Sequence, residues 1–416
     1  MNDSILADPA SLGFAMVDAD NHFYEPRDCF STYADPGAKD LIFHSEDVDG
    51  EEQYFIAGRR FTYLEEPFED IQVKPGALAE MLRSRYREIP PDNDENVGPR
   101  HPDFEGSSAF TPMHPSWQNR DARIAVMNNQ GVQASVMLPT LGVTVEHFVK
   151  DNPAATYANL DALNRWIRET WGFAYQDRIY CPAMVSLLDV DEAVRQVDEA
   201  LAHGARFVSM KPGPVAGRSP AHPDFDPVWA RLEEAKVSVI FHVGEAGYNE
   251  LFSAAWGEAA NPSAYRASAF QWCNFMVERP IMDTVAALIF HNLFGRFPGL
   301  RVMSIENGSA WVPYLLHTMD KKKGMGRNGP WLGGRVAGRP SDIFKEHVRI
   351  TPFPEDDLDV LIAEIGAEAV LLGSDYPHAE GLAEPADFVP LLKNQSEQTI
   401  KLVLRENALK LIEGTW

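Results

Sequence analysis

The first stretch able to do chemistry is Val17-Asp18-Ala19-Asp20-Asn21-His22, where the apolar run Phe14-Ala15-Met16-Val17 gives way to acid and imidazole side chains. Alternate residues of a strand point to the same side, so Asp20 and His22 are spaced to grip one cation together. A polar strand end with a capping aspartate has the same local pattern. Two more runs stop in the same way: Val237-Ser238-Val239-Ile240-Phe241 at His242, and Ala369-Val370-Leu371-Leu372-Gly373-Ser374 at Asp375, in a turn constrained by Pro377. His242 reads equally as a hydrogen-bonded core histidine, and Asp375 as the cap of a following helix. A buried carboxylate, however, stays charged only beside a cation or several donors. Ligand-type residues scattered over the chain, each ending an apolar run, point to one metal-dependent site.

Such residues meet if the strands that carry them are parallel, because a parallel α/β barrel gathers the C-terminal ends of its strands on one face. Eight apolar runs alternate with segments of helical period. After the first come Val132 to Leu138, Ile179 to Val185, Ala205 to Met210, Val237 to Phe241, Leu300 to Ile305, His347 to Ile350 and Ala369 to Leu372. Between them Pro153 to Tyr175 and Val190 to His203 read as helices, the second capped by Asp189 and closed by Gly204. The expected fold is α/β, a (β/α)8 TIM-type barrel. Residues 1–416 form one domain on this reading, with 384–416 a C-terminal helical segment.

The register breaks between 24 and 117, a large insertion after the first strand. Within it Gln53 to Tyr63 reads as a hairpin turning near Gly58, and Ile89 to Pro115 is dense in turn residues. Long irregular segments of this kind serve as lids or subunit contacts, and a lid or dimer arm is the expectation. Its aromatic residues, Tyr54, Phe55, Phe61, Tyr63 and Phe68, suit a cover for a ring-shaped ligand, a small hairpin core or an interface. Lys321 to Arg339, with Lys321-Lys322-Lys323, reads as a solvated basic loop.

The chain has 61 acidic and 37 basic residues, a formal charge of -24, which disfavours nucleic-acid and anionic-membrane partners. A small-molecule substrate remains the natural partner. Cys29, Cys181 and Cys273 have no paired short spacing, so neither a disulfide framework nor a cysteine zinc site is indicated, and a reducing compartment fits. With no basic start followed by a long apolar stretch and no window of membrane-spanning length, the expected location is cytoplasmic.

Taken together, Val17-Asp18-Ala19-Asp20-Asn21-His22, His242, the turn Phe294-Gly295-Arg296-Phe297-Pro298-Gly299 leading into Leu300-Arg301-Val302, and Gly373-Ser374-Asp375-Tyr376-Pro377 resemble the amidohydrolase-related family. The likeness is strongest to the branch containing aminocarboxymuconate-semialdehyde decarboxylase and the resorcylate and carboxyvanillate decarboxylases, and spans nearly the whole chain outside the insertion. It implies a distorted barrel, a homodimer and one divalent ion, zinc or manganese, held by Asp20, His22, His242 and Asp375. The family's first-strand motif has two histidines, and Asp20 here stands for one of them; a carboxylate hardens the site and makes manganese or iron as suitable as zinc. Where the decarboxylases carry a catalytic histidine after the sixth strand, this chain reads Ser304-Ile305-Glu306-Asn307-Gly308, and Glu306 takes that place as a site residue or as the anchor of a turn.

Two reactions follow from the resemblance. In hydrolysis, a metal-activated water gives its proton to Asp375, with Glu306 a second acid-base group or a ligand. In non-oxidative decarboxylation, Glu306 or Asp375 must deliver a proton to the carbon that loses carbon dioxide. The missing histidine makes hydrolysis of a small, ring-containing substrate the preferred expectation, decarboxylation of an aromatic or unsaturated carboxylate the alternative, and a barrel that only binds a ligand the third. Lys211, at the fourth strand tip, is either a holder of substrate or a solvent-facing lysine. His378 either orients substrate or supports the metal, and His291 reads as a helix end near the substrate side or as structure alone.

Overall fold

A computed structural model describes residues 12–64, 68, 70–78 and 109–416. The strands are β1 (Met16–Phe23), β2 (His44–Val48), β3 (Glu51–Ile56), β4 (Arg59–Arg60), β5 (Ile71–Val73), β6 (Phe110–Pro112), β7 (Val132–Pro139), β8 (Ile179–Tyr180), β9 (Ala183–Met184), β10 (Phe207–Met210), β11 (Ser238–His242), β12 (Val302–Ile305) and β13 (Val348–Ile350). Seven of the eight expected runs form ladder strands, and all pair in parallel in the order β1-β7-β8 and β9-β10-β11-β12-β13. Helices alternate with them, as parallel connections require. The architecture is an α/β, distorted (β/α)8 barrel with its large insertion after β1.

The distortions have local causes. The expected third strand, Ile179 to Val185, is two short pieces: β8 pairs with β7, and β9 with β10. Pro182 lies between them and has no N–H to give to a ladder. The eighth run, Ala369 to Leu372, is not a regular strand. It begins in a 3-10 turn, Ala367–Ala369, and then closes the wall with single bonds on either side, Leu371 N to Ile350 O (2.9 Å) and Ala19 N to Leu372 O (2.9 Å). In β1 the pairing with β7 shifts between Asp18 and Asn21, a bulge that re-aims the polar end of the strand. All eight residues of β1 are buried, the polar ones included.

The helix Val190–Ala202 is capped as its sequence indicates, Asp189 accepting from the amides of Asp191 and Glu192. The helix from Pro153 stops earlier than expected. It runs to Trp166, continues as a π turn over Ile167–Trp171, and ends at Gly172, whose φ of 86° breaks the helix before Tyr175. The lysines at 321–323 do not lie in a loop. They form the last turns of the helix Trp311–Met325, where positive charge meets the negative end of the helix dipole; the Lys323 ammonium also bonds the carbonyl of Gly338. The C-terminal segment is helical, and Ala408, Leu411 and Ile412 of its helix Asn407–Glu413 join the cluster of Val17, Val136, Phe207, Ile240 and Met303 inside the barrel.

In the insertion, β2, β3 and β4 form an antiparallel meander. Its two turns, Asp49-Gly50 and Ala57-Gly58, have positive φ at both residues, the backbone that two-residue hairpins favour. Tyr54, Phe61 and Phe68 pack on Phe43 with ring centroids 5.3 to 5.9 Å apart, so these aromatics make a small core of their own. The strands β5 and β6 bring the two ends of the following segment together. Most of the stretch Ile89 to Pro115 lies outside the described residues. Of the insertion, Gly76 and Leu78 donate to the carbonyls of His378 (3.3 Å) and Ala379 (2.9 Å), so it touches the loop that follows Asp375. No helix among the described residues is long and apolar enough to cross a membrane.

Candidate metal centre

Each expected metal-ligand or acid-base residue sits at or just past the C-terminal end of a barrel run: Asp20 and His22 on β1, His242 ending β11, Glu306 following β12 and Asp375 following the eighth run. Parallel strands deliver these positions to one face, and the apolar residues before them bury the wall behind. Glu306 and Asp375 both take the left-handed conformation, with φ of 54° and 56°, uncommon for residues with side chains. The turns are held in place: the Glu306 amide donates to Thr351 Oγ1 (3.0 Å) and the Asp375 amide to the carbonyl of Asp20 (2.8 Å).

The side chains converge. Nε2 of His22 and Nε2 of His242 are 3.1 Å apart. Glu306 Oε2 lies 3.0 Å from His242 Nε2 and 3.6 Å from His22 Nε2, Asp20 Oδ1 3.5 Å from His22 Nε2, and Asp375 Oδ1 3.4 Å from the same atom. Two overlapping sets, Asp20, His22, His242 and Glu306, and His22, Glu306, Asp375 and His378, each have ligand atoms within 4.8 Å of one another. His242 Nδ1 faces the carbonyl of Val243 at 2.6 Å; an N–H there leaves the Nε2 lone pair turned into the cluster, as a metal ligand requires. Asp20 Oδ1 and Asp375 Oδ2 are buried without a hydrogen-bond donor. The His242 lone pair, the facing His22 nitrogen, the buried carboxylates of Asp20 and Asp375, the partly buried Glu306 and the orphaned oxygens fit a divalent cation at their centre.

The protonation behaviour of the protein alone follows from this crowding. Burial, then the neighbouring His378, hold His22 down at about 3. Burial and the Glu306 charge push Asp20 up to about 7, and burial with the surrounding carboxylates raises Asp375 well above the usual range. Burial alone would raise Glu306, but its bonds to His22 and His242 outweigh it and hold the carboxyl below its ordinary value. Burial opposes charge on His242, yet the contact with Glu306 prevails and raises it.

A surrounding layer fixes these groups. Asp18 does not enter the cluster; it accepts from the Ser374 amide (3.1 Å) and hydroxyl (2.5 Å) and from Asn21 Nδ2 (2.9 Å), tying β1 to the eighth run. Arg123 is wholly buried behind β1. Its guanidinium donates to the carbonyls of His22 (2.8 Å) and Ser116 (2.8 Å) and to the Asn21 side chain, and lies 5.2 Å from the centre of the Tyr376 ring. The sequence offers no sign of this role, since Arg123 sits in an otherwise ordinary polar helix, Arg120–Asn129.

His378 joins the site through Nδ1, 2.7 Å from Asp375 Oδ1, with Nε2 2.9 Å from Thr140 Oγ1. Lys211 lies at the tip of β10, outside the cluster, and its ammonium turns inward to carbonyl oxygens instead of to solvent. His291 is not brought to the centre. It closes the helix Glu278–Phe290, its carbonyl accepts from Arg296, and the imidazole it approaches is His222.

Residues 17–413 match the amidohydrolase family model. The chain belongs to the amidohydrolase family. Among solved structures, this amidohydrolase is 37% identical to an amidohydrolase from Mycobacterium avium subsp. paratuberculosis K-10, covering 96% of this chain and 99% of that one with a TM-score of 0.82. It shares its fold with 5-carboxyvanillate decarboxylase from Novosphingobium aromaticivorans, solved with manganese and 4-hydroxy-3-methoxy-5-nitrobenzoic acid (17% identity, 97% of each chain, TM-score 0.55). It also resembles 5-carboxyvanillate decarboxylase from Sphingomonas paucimobilis (19% identity, 70% of this chain and 82% of that one, TM-score 0.51). No curated protein matches it. Family membership makes the chain an enzyme, with metal-dependent hydrolysis and decarboxylation both in range.

Proposed function

We propose that this enzyme is a metal-dependent hydrolase of a small uncharged substrate such as an ester, lactone or amide. Asp20, His22, His242 and Glu306 would hold one divalent ion, and Asp375, beside His22, would serve as the base. The observation that carries this reading is the charge of the centre. Asp20, Glu306 and Asp375 converge there, and their ion-pair contacts are all to histidines. Three carboxylates against one divalent ion leave a net charge of about -1, which favours a neutral carbonyl compound over a carboxylate substrate.

A divalent ion bound there supplies Lewis acidity, polarising a carbonyl oxygen and acidifying water. With two carboxylates and two imidazoles, the donor set suits manganese or iron as well as zinc. Asp375 accepts the proton at a carboxylate oxygen. His378, held between Asp375 and Thr140, orients that carboxylate and takes the proton on toward the leaving group at Nδ1. Val243 and Thr351 keep His242 and the Glu306 turn from rotating away.

Decarboxylation is the second reading, favoured by the Asp375 carboxyl, which burial and neighbouring carboxylates push toward its protonated form and thus toward proton donation. Metal-reconstituted protein should be screened against lactones, esters, amides and small aromatic carboxylates, with carbon dioxide and hydrolysis products both measured. Hydrolysis without carbon dioxide is the expected result. Carbon dioxide from a carboxylate with no hydrolysis overturns the proposal, and a protein that takes up no stoichiometric divalent metal overturns both readings.

A further inference from the structure

Beside the metal centre, the tips of β10 and β11 and the helix Gly142–Phe148 enclose a cavity of about 20 Å3 whose walls include His242, Glu146 and Lys211. That is room for about one water-sized group. Val143, Leu160 and Met184 supply apolar wall, and Ser209 lines it as well.

Its two charged walls are incompletely satisfied. The Lys211 ammonium reaches only the carbonyl oxygens of Pro212 (3.2 Å), Pro214 (3.4 Å) and Ala246 (3.4 Å), and has no ion-pair partner among the described residues. Glu146 is buried and accepts from Ser186 Oγ at 2.8 Å through one oxygen; the other oxygen has no donor among the described residues. Lys211 is the charge acting on Glu146, and Glu146 and Glu245 are the anions acting on Lys211. Lys150 also acts on Lys211 but is itself paired with Glu250 at 2.7 Å, so the two carboxylates outnumber the one unpaired ammonium.

We propose that Lys211 and Glu146 form a subsite for one uncharged hydroxyl of the substrate, the ammonium donating to its oxygen and the carboxylate accepting its proton, and that the pair turns away a carboxylate there. A hydroxyl is the small group that serves both partners at once. A substrate carboxylate would satisfy Lys211 but confront Glu146 and Glu245, and a like-charge contact of that kind is strongly disfavoured. The inference rests on the proposed function, because the metal anchors the substrate at the His242 end. The substrate class is then a compound with a neutral carbonyl group at the metal and a hydroxyl on its far side.

The test uses manganese-loaded protein and benzohydroxamic acid, neutral in solution at neutral pH and bound by a metal as its hydroxamate with release of one proton to buffer, with its 3- and 4-hydroxy and 3- and 4-carboxy forms, their dissociation constants measured by calorimetry. One hydroxy isomer should bind about tenfold more tightly than the parent, and the carboxy compound of the same position at least about tenfold more weakly. In Lys211→Met the hydroxy-to-parent ratio should fall to near one. In Glu146→Gln the penalty on the carboxy compound should shrink, a gain that a misfolded protein cannot show. Unchanged ratios in both variants, with the parent compound still binding, overturn the subsite alone. Failure of the parent compound to bind manganese-loaded protein overturns the metal centre and the subsite with it.

Discussion

His22 and His242, from strands 220 residues apart in sequence, point their Nε2 atoms at each other across 3.1 Å. With Nδ1 of His242 turned to the Val243 carbonyl, the Nε2 lone pair of His242 faces His22 and is open to a proton or a cation. The carboxylates of Asp20, Glu306 and Asp375 surround the same point. The centre fits a cation, and on the proposed function its stability and activity should depend on one.

Chelation should therefore abolish activity and lower the melting temperature by several degrees, because three crowded carboxylates lose the charge that offsets their repulsion. Readdition of manganese or zinc should restore both. Calorimetric scans of chelated and reconstituted protein check this; identical melting curves with and without metal would refute it.

Asp375→Asn keeps the shape of the side chain but cannot accept a proton. Turnover should fall by about 100-fold to 10,000-fold, with metal content and melting temperature close to those of the unaltered protein. A fully active variant would remove Asp375 as the base.

Glu306→Gln and Asp20→Asn should each weaken metal retention by about tenfold or more, measured by competition with a chromophoric chelator, since each removes an anionic ligand from contact with His22 and His242. If Glu306→Gln holds metal as tightly as the native chain, Glu306 is not a ligand and the set reverts to Asp20, His22, His242 and Asp375.

Arg123→Met deletes donors to the His22 carbonyl, the Asn21 side chain and Ser116. Leaving those acceptors buried and unpaired should destabilise the fold by about 3 kcal/mol and weaken metal binding, with Arg123→Lys recovering only part because it lacks the planar fork. Urea unfolding and metal competition on the same samples separate the two effects.

His147, buried on the helix Gly142–Phe148, is lowered from 6.5 to about 4 by burial and by Lys150 and Lys211. The unfolded chain therefore takes up a proton at higher pH than the folded one. Its contribution to stability is full above pH 6.5 and is lost as the pH falls toward 4, by about 3 kcal/mol in all. In His147→Gln the unfolding free energy should lose this part of its slope between pH 6.5 and 4; an unaltered profile would show that other groups govern acid sensitivity.

What the sequence by itself determined was the set of strand tips. A run such as Ser238 to Phe241 is apolar because the barrel wall excludes water on both faces, and the residue that ends it is free to be His242; the same logic made Asp20, His22, Glu306 and Asp375 readable without coordinates. Tertiary structure alone decided how these tips share one point. Glu306, not Asp375, lies closest to His242, because two left-handed turns and the bulge in β1 set directions that no spacing encodes. It alone turned Arg123 and Lys211 inward, since a helical or strand-tip pattern does not tell whether a long cationic side chain will find buried acceptors. His291 shows the converse: a chemically able residue next to the turn Phe294 to Gly299 stays out of the site because the helix that carries it ends elsewhere.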